Sequence, residues 1–139
     1  MAQIGVEHIL GLKEKIGNPL ELIVLGAKGV SKSQIGSLSK AMCLSLATIA
    51  NLLAVSLRTI QRQPEGKVFD RNVSERAIKL AQLTAHGVNV FGAKEEFCAW
   101  LQTPVVALGN KTPMSILNST MGVELVDNIV GRIEHGIFS

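Results

Sequence analysis

Near the middle of the chain Ser56 is followed by Arg58, Thr59, Gln61 and Arg62 within a single short stretch. These residue types have a shared use. Arginine presents paired donors that fit guanine edges or phosphates, glutamine fits the adenine edge, and serine and threonine hydroxyls reach phosphates. The surrounding spacing supplies a way to hold them. Ala50 is small enough to sit where two helices cross, Ala54 falls four residues later where the chain must turn, and Ile60 is apolar ten residues after Ala50. This is the pattern of a helix-turn-helix, with Leu57–Gln63 as the reading helix capped by Ser56. Glycine is the commoner residue at the turn, so Ala54 is a departure. The backbone N–H groups freed at Ser56 add a place for a phosphate.

The charge pattern agrees. The net charge is +3, and from Leu22 to Pro64 there is no Asp or Glu, while Lys28, Lys32, Lys40, Arg58 and Arg62 fall inside that window. A field of one sign over one segment suits a polyanion, because each neutralised phosphate releases counterions. The predicted DNA-binding residues are therefore Ser56, Arg58, Thr59, Gln61, Arg62 and Lys40.

Other chemistries find no support. His8, His86 and His135 are scattered, no glycine-rich phosphate loop is present, and no acidic pair has an evident partner. No catalytic residue, metal ligand or cofactor is expected, and the protein is read as a non-enzyme. Cys43 and Cys98 lie far apart with no CxxC, which reads as two free buried thiols in a reducing compartment. The start Met1-Ala2-Gln3 lacks a basic leader with an apolar run, and the uncharged stretch 41–57 is short for a membrane span and contains Ser45, Thr48, Asn51 and Ser56. A cytoplasmic protein with no membrane partner is expected.

The elements that must position these residues are helices throughout. Hydrophobic residues make up 47% of the 139, enough for a core, and no stretch alternates with period two. The predicted fold is all-α. Residues 1–17 read as a lead-in, residues 18–66 as the helix-turn-helix domain and residues 67–139 as a second, small helical domain. Asn18-Pro19 is an N-cap with proline at the first position, and Gly29 should end that helix in a left-handed cap. Ser31 or Ser33 caps the next helix, with Ile35, Leu38 and Met42 on one face. Ser45 caps a third, with Leu46, Ile49, Ala50 and Leu53 inward. Gln63-Pro64-Glu65-Gly66 breaks the pattern. Asn72 and Glu75 resemble a capping box for a long helix to about Val90. Lys94–Leu101 carries Phe97 and Trp100 on one face, both expected in the core. Thr112-Pro113 should open a helix ended by Gly122, and Val123–His135 a last one.

In the second half Phe91-Gly92, Trp100-Leu101 ahead of Pro104, Ala107-Leu108-Gly109, Thr112-Pro113, Gly122 and Arg132-Ile133-Glu134-His135-Gly136 follow one another in fixed order. This order and spacing resemble the Xre/MbcA/ParS toxin-binding domain, and the first half is similar to the Xre-type helix-turn-helix domain of the same antitoxins. The resemblance runs from about residue 18 to Ser139. Val105-Val106 and Asn110 depart from it, standing where more polar residues and a second glycine are usual. The resemblance implies a type II antitoxin. It would block the cleft of a RES-domain toxin, which has an ADP-ribosyltransferase-like fold and acts on NAD, and would repress its own operon. A stand-alone regulator of phage-repressor type, with the second half serving only dimerisation, is the competing reading. The chain is expected to be a homodimer, or to dimerise within the toxin complex, bound to an inverted repeat, since one short reading helix buries little surface.

The last predicted helix turns Val126, Ile129, Val130 and Ile133 inward, leaving Arg132, Glu134 and His135 to point elsewhere. The chain then finishes on Ile137-Phe138-Ser139, apolar where termini are usually polar. That tail either plugs its own domain or docks on a partner. With the resemblance, Arg132, Glu134, His135, Ile137, Phe138 and Ser139 are expected to face the toxin.

Overall fold

A computed structural model of the chain describes residues 3–136. Among the described residues it contains eight α-helices and no strand: α1 (Val6–Leu10), α2 (Pro19–Lys28), α3 (Lys32–Ala41), α4 (Leu46–Leu52), α5 (Leu57–Arg62), α6 (Arg71–Phe91), α7 (Lys94–Leu101) and α8 (Thr120–Glu134). Two 3-10 turns, Val106–Leu108 and Pro113–Ile116, lie between α7 and α8. The all-α expectation holds.

Local chemistry sets most of the helix starts. The Asn18 side chain accepts from the N–H groups of Leu20 and Glu21 at the head of α2. Ser31 caps α3, and Gln34 reaches back to the Ser31 N–H at 2.9 Å, completing a reciprocal box. Ser45, Ser56 and Ser119 each accept a backbone N–H from the first turn of α4, α5 and α8. The cap of α6 is Asp70, which accepts from Val73 N–H at 2.9 Å, and not the expected Asn72. Asn72 instead sits inside the first turn.

α6 is the central element. α1, α2, α3, α7 and α8 all pack against it. Leu80, Ala77 and Ala81 from its interior share one buried cluster with Leu38, Ile49 and Ile60 from the first half and Phe97, Leu101 and Val126 from the second. Ser74 on α6 is fully buried and ties down the α2–α3 connection: its hydroxyl accepts from Val30 N–H at 2.9 Å and donates to the Phe69 carbonyl.

Three sequence expectations need correction. Gly122 does not end a helix. It lies buried in the first turn of α8, and a Cβ there would collide with the Ile116 carbonyl. The glycine serves a close approach between chain segments, while Thr112-Pro113 opens only the short 3-10 turn before it. Gly29 ends α2, yet with φ 98° and ψ 152° it lies outside the left-handed helical region, in a positive-φ conformation that favours glycine; a Cβ would lie 2.7 Å from Val68. Cys43 and Cys98 are not free thiols. They form a disulfide between the end of α3 and α7, with Cα atoms 6.2 Å apart. Both helices dock on α6, which brings together two cysteines separated by 55 positions.

Among the described residues no single helix is long and apolar enough to cross a membrane. α3 and α4 would qualify only if strung together, and they are bent at 103° to each other.

Candidate functional site

The helix-turn-helix forms as the spacing requires. Ala50 is 2% exposed and Ile60 fully buried, so α4 and α5 close on each other through a small residue and an apolar pin. Between them Val55 N–H donates to the Ala50 carbonyl at 3.0 Å. Ala54 turns the chain with φ +61°. A residue with a Cβ is strained there by roughly 1–2 kcal/mol, and glycine is not. Ala54 is exposed, so Ala54→Gly should raise stability by about 1 kcal/mol, less the flexibility it adds to the unfolded chain. A denaturant midpoint for Ala54→Gly at or below that of the wild type would show that the turn is unstrained.

On α5 the side chains of Arg58, Thr59, Gln61 and Arg62 are all exposed. The Ser56 and Thr59 hydroxyls share a hydrogen bond of 2.8 Å, and Ser56 Oγ also accepts from Thr59 N–H at 3.0 Å. These two therefore hold the helix start in place. Lys40 is exposed in the last turn of α3, on a different helix from the other five. A further cation enters that the sequence did not single out. Lys32 Nζ donates to the Gln61 carbonyl at 2.8 Å and so stands at the end of α5. Its only signal in the sequence is membership of the acid-free window.

The second region is the end of α8. Val123, Val126, Ile129 and Val130 face inward and are buried. Ile133 is half-buried, and Arg132, Glu134 and His135 are exposed. Glu134 is not free, however. His86 of α6 lies between two carboxylates, with Nδ1 2.7 Å from Asp127 and Nε2 2.9 Å from Glu134. A neutral imidazole has one N–H and can donate to only one of them, so the arrangement favours the imidazolium. Burial lowers the His86 pKa, but the hydrogen bonds to Asp127 and Glu134 and their charges outweigh it and raise it above 6.5. The same hydrogen bond to His86 is the chief cause holding Glu134 below its ordinary 4.5, with the His86 and His135 charges adding to it. With both ring nitrogens engaged, His86 is a clamp between α6 and α8. The expected partner-facing residues Ile137, Phe138 and Ser139 lie outside the described residues.

The clamp has a pH signature. A raised His86 pKa stabilises the fold fully below about pH 6.5, and that contribution disappears as pH rises through the folded value. A lowered Glu134 pKa stabilises above about pH 4.5, and that contribution disappears as pH falls through the folded value. The two overlap between about pH 4.5 and 6.5. His86→Gln should thus lower Tm most at about pH 5.5 and least at about pH 9, read by circular dichroism. An equal decrease at both would mean the clamp is not ionic.

Comparison with known proteins fits this geometry. Residues 21–82 match the Antitoxin Xre-like helix-turn-helix domain, and residues 86–136 match the Antitoxin Xre/MbcA/ParS C-terminal toxin-binding domain. An Antitoxin Xre of Yersinia enterocolitica is 30% identical over 114 residues, spanning 80% of this chain and 76% of the relative. The chain belongs to the Xre antitoxin family. Another Antitoxin Xre, of Photorhabdus laumondii, is 34% identical over 93 residues, 66% of this chain and 63% of that relative. The Prs ADP-ribosylating antitoxin of a Sphingobium strain is 24% identical over 132 residues, 88% of this chain and 83% of its own. The fold of this Xre-family chain is shared with a chain of the M. tuberculosis MbcT–MbcA toxin–antitoxin complex. The TM-score is 0.58 at 16% identity, covering 78% of this chain and 96% of that one. The two family matches meet between residues 82 and 86, inside α6.

Proposed function

We propose that this Xre-family chain is a cytoplasmic antitoxin that neutralises a RES-domain toxin and represses its own operon as a homodimer on an inverted repeat. The observation that carries the reading is that one helix, α6, is common to the helix-turn-helix domain, with its outward basic helix α5, and to the matched toxin-binding domain. The division of labour follows: residues 18–66 engage operator DNA through Ser56, Arg58, Thr59, Gln61, Arg62 and Lys40, and residues 67–139 engage the toxin. The chemistry on NAD belongs to the toxin, and the antitoxin acts by covering its cleft. The likeness to the Prs ADP-ribosylating antitoxin supports that class of partner.

Arg132, His135 and the tail Ile137-Phe138-Ser139 form the toxin-facing end in this reading, with Glu134 held at its margin by His86. Interface energy concentrates in few residues, so a small deletion tests it. Removing residues 137–139 should leave helicity and operator binding intact while releasing growth arrest on co-expression with a RES toxin. Full neutralisation by the truncated chain would exclude the tail as the inhibitory element, and its unfolding would show that Phe138 belongs to the core.

A further inference from the structure

α2 is apolar on both sides. Its inner face, at Leu22, Leu25 and Gly26, packs toward α6, where Gly26 lies close to Glu75 and Ile78. Its outer face carries Leu20, Ile23 and Val24 at 71%, 64% and 63% exposure, with Ala27 also exposed. These fall at i, i+3, i+4 and i+7 and form one continuous stripe without a charge in it. A helix that is apolar all round is ordinarily covered, and a stripe of this kind marks a surface made for another protein. The missing charge rules out a polyanion as occupant, since such binding needs cations.

We propose that the α2 stripe is the surface through which two copies of this chain pair, antiparallel and across a twofold axis. The proposal rests on the homodimer reading above and supplies its interface. Three features select a second copy. A twofold axis between Ile23 and Val24 places Ile23 of one copy against Val24 of the other and Leu20 against Ala27, a large residue facing a small one. The ends are of opposite sign, Glu21 in the first turn and Lys28 in the last, so antiparallel helices bring unlike charges together and parallel helices bring like ones. The area also fits a partner that DNA assists. A helix of 10 residues is about 15 Å long, and two such faces bury roughly 800 Å² in total, below the about 1,200–2,000 Å² of a standing complex. Free dimers are accordingly weak, and paired half-sites complete them. α2 leads directly into the helix whose first residue meets the end of the reading helix. Only Gly29-Val30-Ser31 separates α2 from Lys32, whose ammonium touches the end of α5.

The register gives a sharp test. Ile23→Glu and Val24→Lys alter exposed side chains only, so both variants should keep wild-type helicity and Tm. By sedimentation equilibrium without DNA, the wild type should show a monomer–dimer equilibrium, and each variant should fall at least roughly tenfold in dimer affinity. Mixing the two variants should restore a dimer. In either variant alone the new charge meets an apolar residue, whereas the mixed pair sets the new carboxylate against the new ammonium. A wild type that stays monomeric at all concentrations, or variants that dimerise unchanged, overturn the proposal. Loss of dimer in both variants without recovery on mixing overturns the antiparallel register. Since no DNA or toxin is present, these results stand apart from the repressor reading. That reading fails instead if the chain, dimeric or not, shows no operator preference in a gel shift.

Discussion

Arg58→Ala combined with Arg62→Ala should weaken operator binding by about 1–3 kcal/mol for each arginine that reads a base, which amounts to roughly thirty-fold to more than ten-thousand-fold for the pair. Both side chains are exposed on α5, away from the buried core, so circular dichroism and Tm should not change. The mode of binding can be read from the same titrations. If the arginines touch bases, specific binding falls and binding to random DNA is spared. If they touch phosphates, both fall alike and the slope of affinity against salt drops by about one per arginine. Unchanged affinity in a folded double variant would remove α5 as the reading helix. Ser56 and Thr59 offer an internal comparison. Their hydroxyls bind each other, so replacing either should cost helix stability before it costs any hold on phosphate.

The second large effect concerns Phe97. It is fully buried, and its ring fills the space above Gly87 where α6 has no side chain. Phe97→Ala should cost about 3–5 kcal/mol, and Gly87→Val should destabilise by about 1–3 kcal/mol or more through overpacking. Phe91 and Trp100 complete the cluster, with ring centroids 5.9 Å and 6.1 Å from Phe97 and 5.3 Å from each other. Trp100 is only half-buried. It packs against the core as the sequence suggests but is not enclosed by it, so Trp100→Ala should cost about half as much as Phe97→Ala. Urea unfolding of the three variants ranks them. If Trp100→Ala keeps its stability but no longer binds the toxin, the indole is an interface anchor rather than a packing residue.

What was legible in the sequence was local. Asn18, Ser31, Ser45 and Ser56 announce helix starts because their side chains bond to N–H groups within three residues. Ile35, Leu38 and Met42 share a face because helical geometry places them there, and all are buried. Ala50, Ala54 and Ile60 fix one hairpin through a crossing, a turn and a pin that lie close together in the chain. What was missed depends on partners far along the chain. Gly122 reads as a stop in isolation, and only the Ile116 carbonyl above it explains why it sits inside α8. His86 has no neighbour in sequence that hints at Asp127 or Glu134, 41 and 48 positions on. Cys43 and Cys98 meet only once α3 and α7 have both docked on α6.

α6 belongs to both matched domains at once, its first half to one and its last turns to the other. The two domains are therefore not cassettes. A chimaera spliced between residues 82 and 86 would join two half-faces of a single 21-residue helix, each shaped for neighbours the other half does not carry. A proteolytic cut there would expose Leu80, Leu83 and Phe97 together, so a protease that damages the domain matched to toxin binding damages the helix-turn-helix domain in the same event. Exchange of toxin specificity between relatives has to move α6 entire, together with the helices that rest on it.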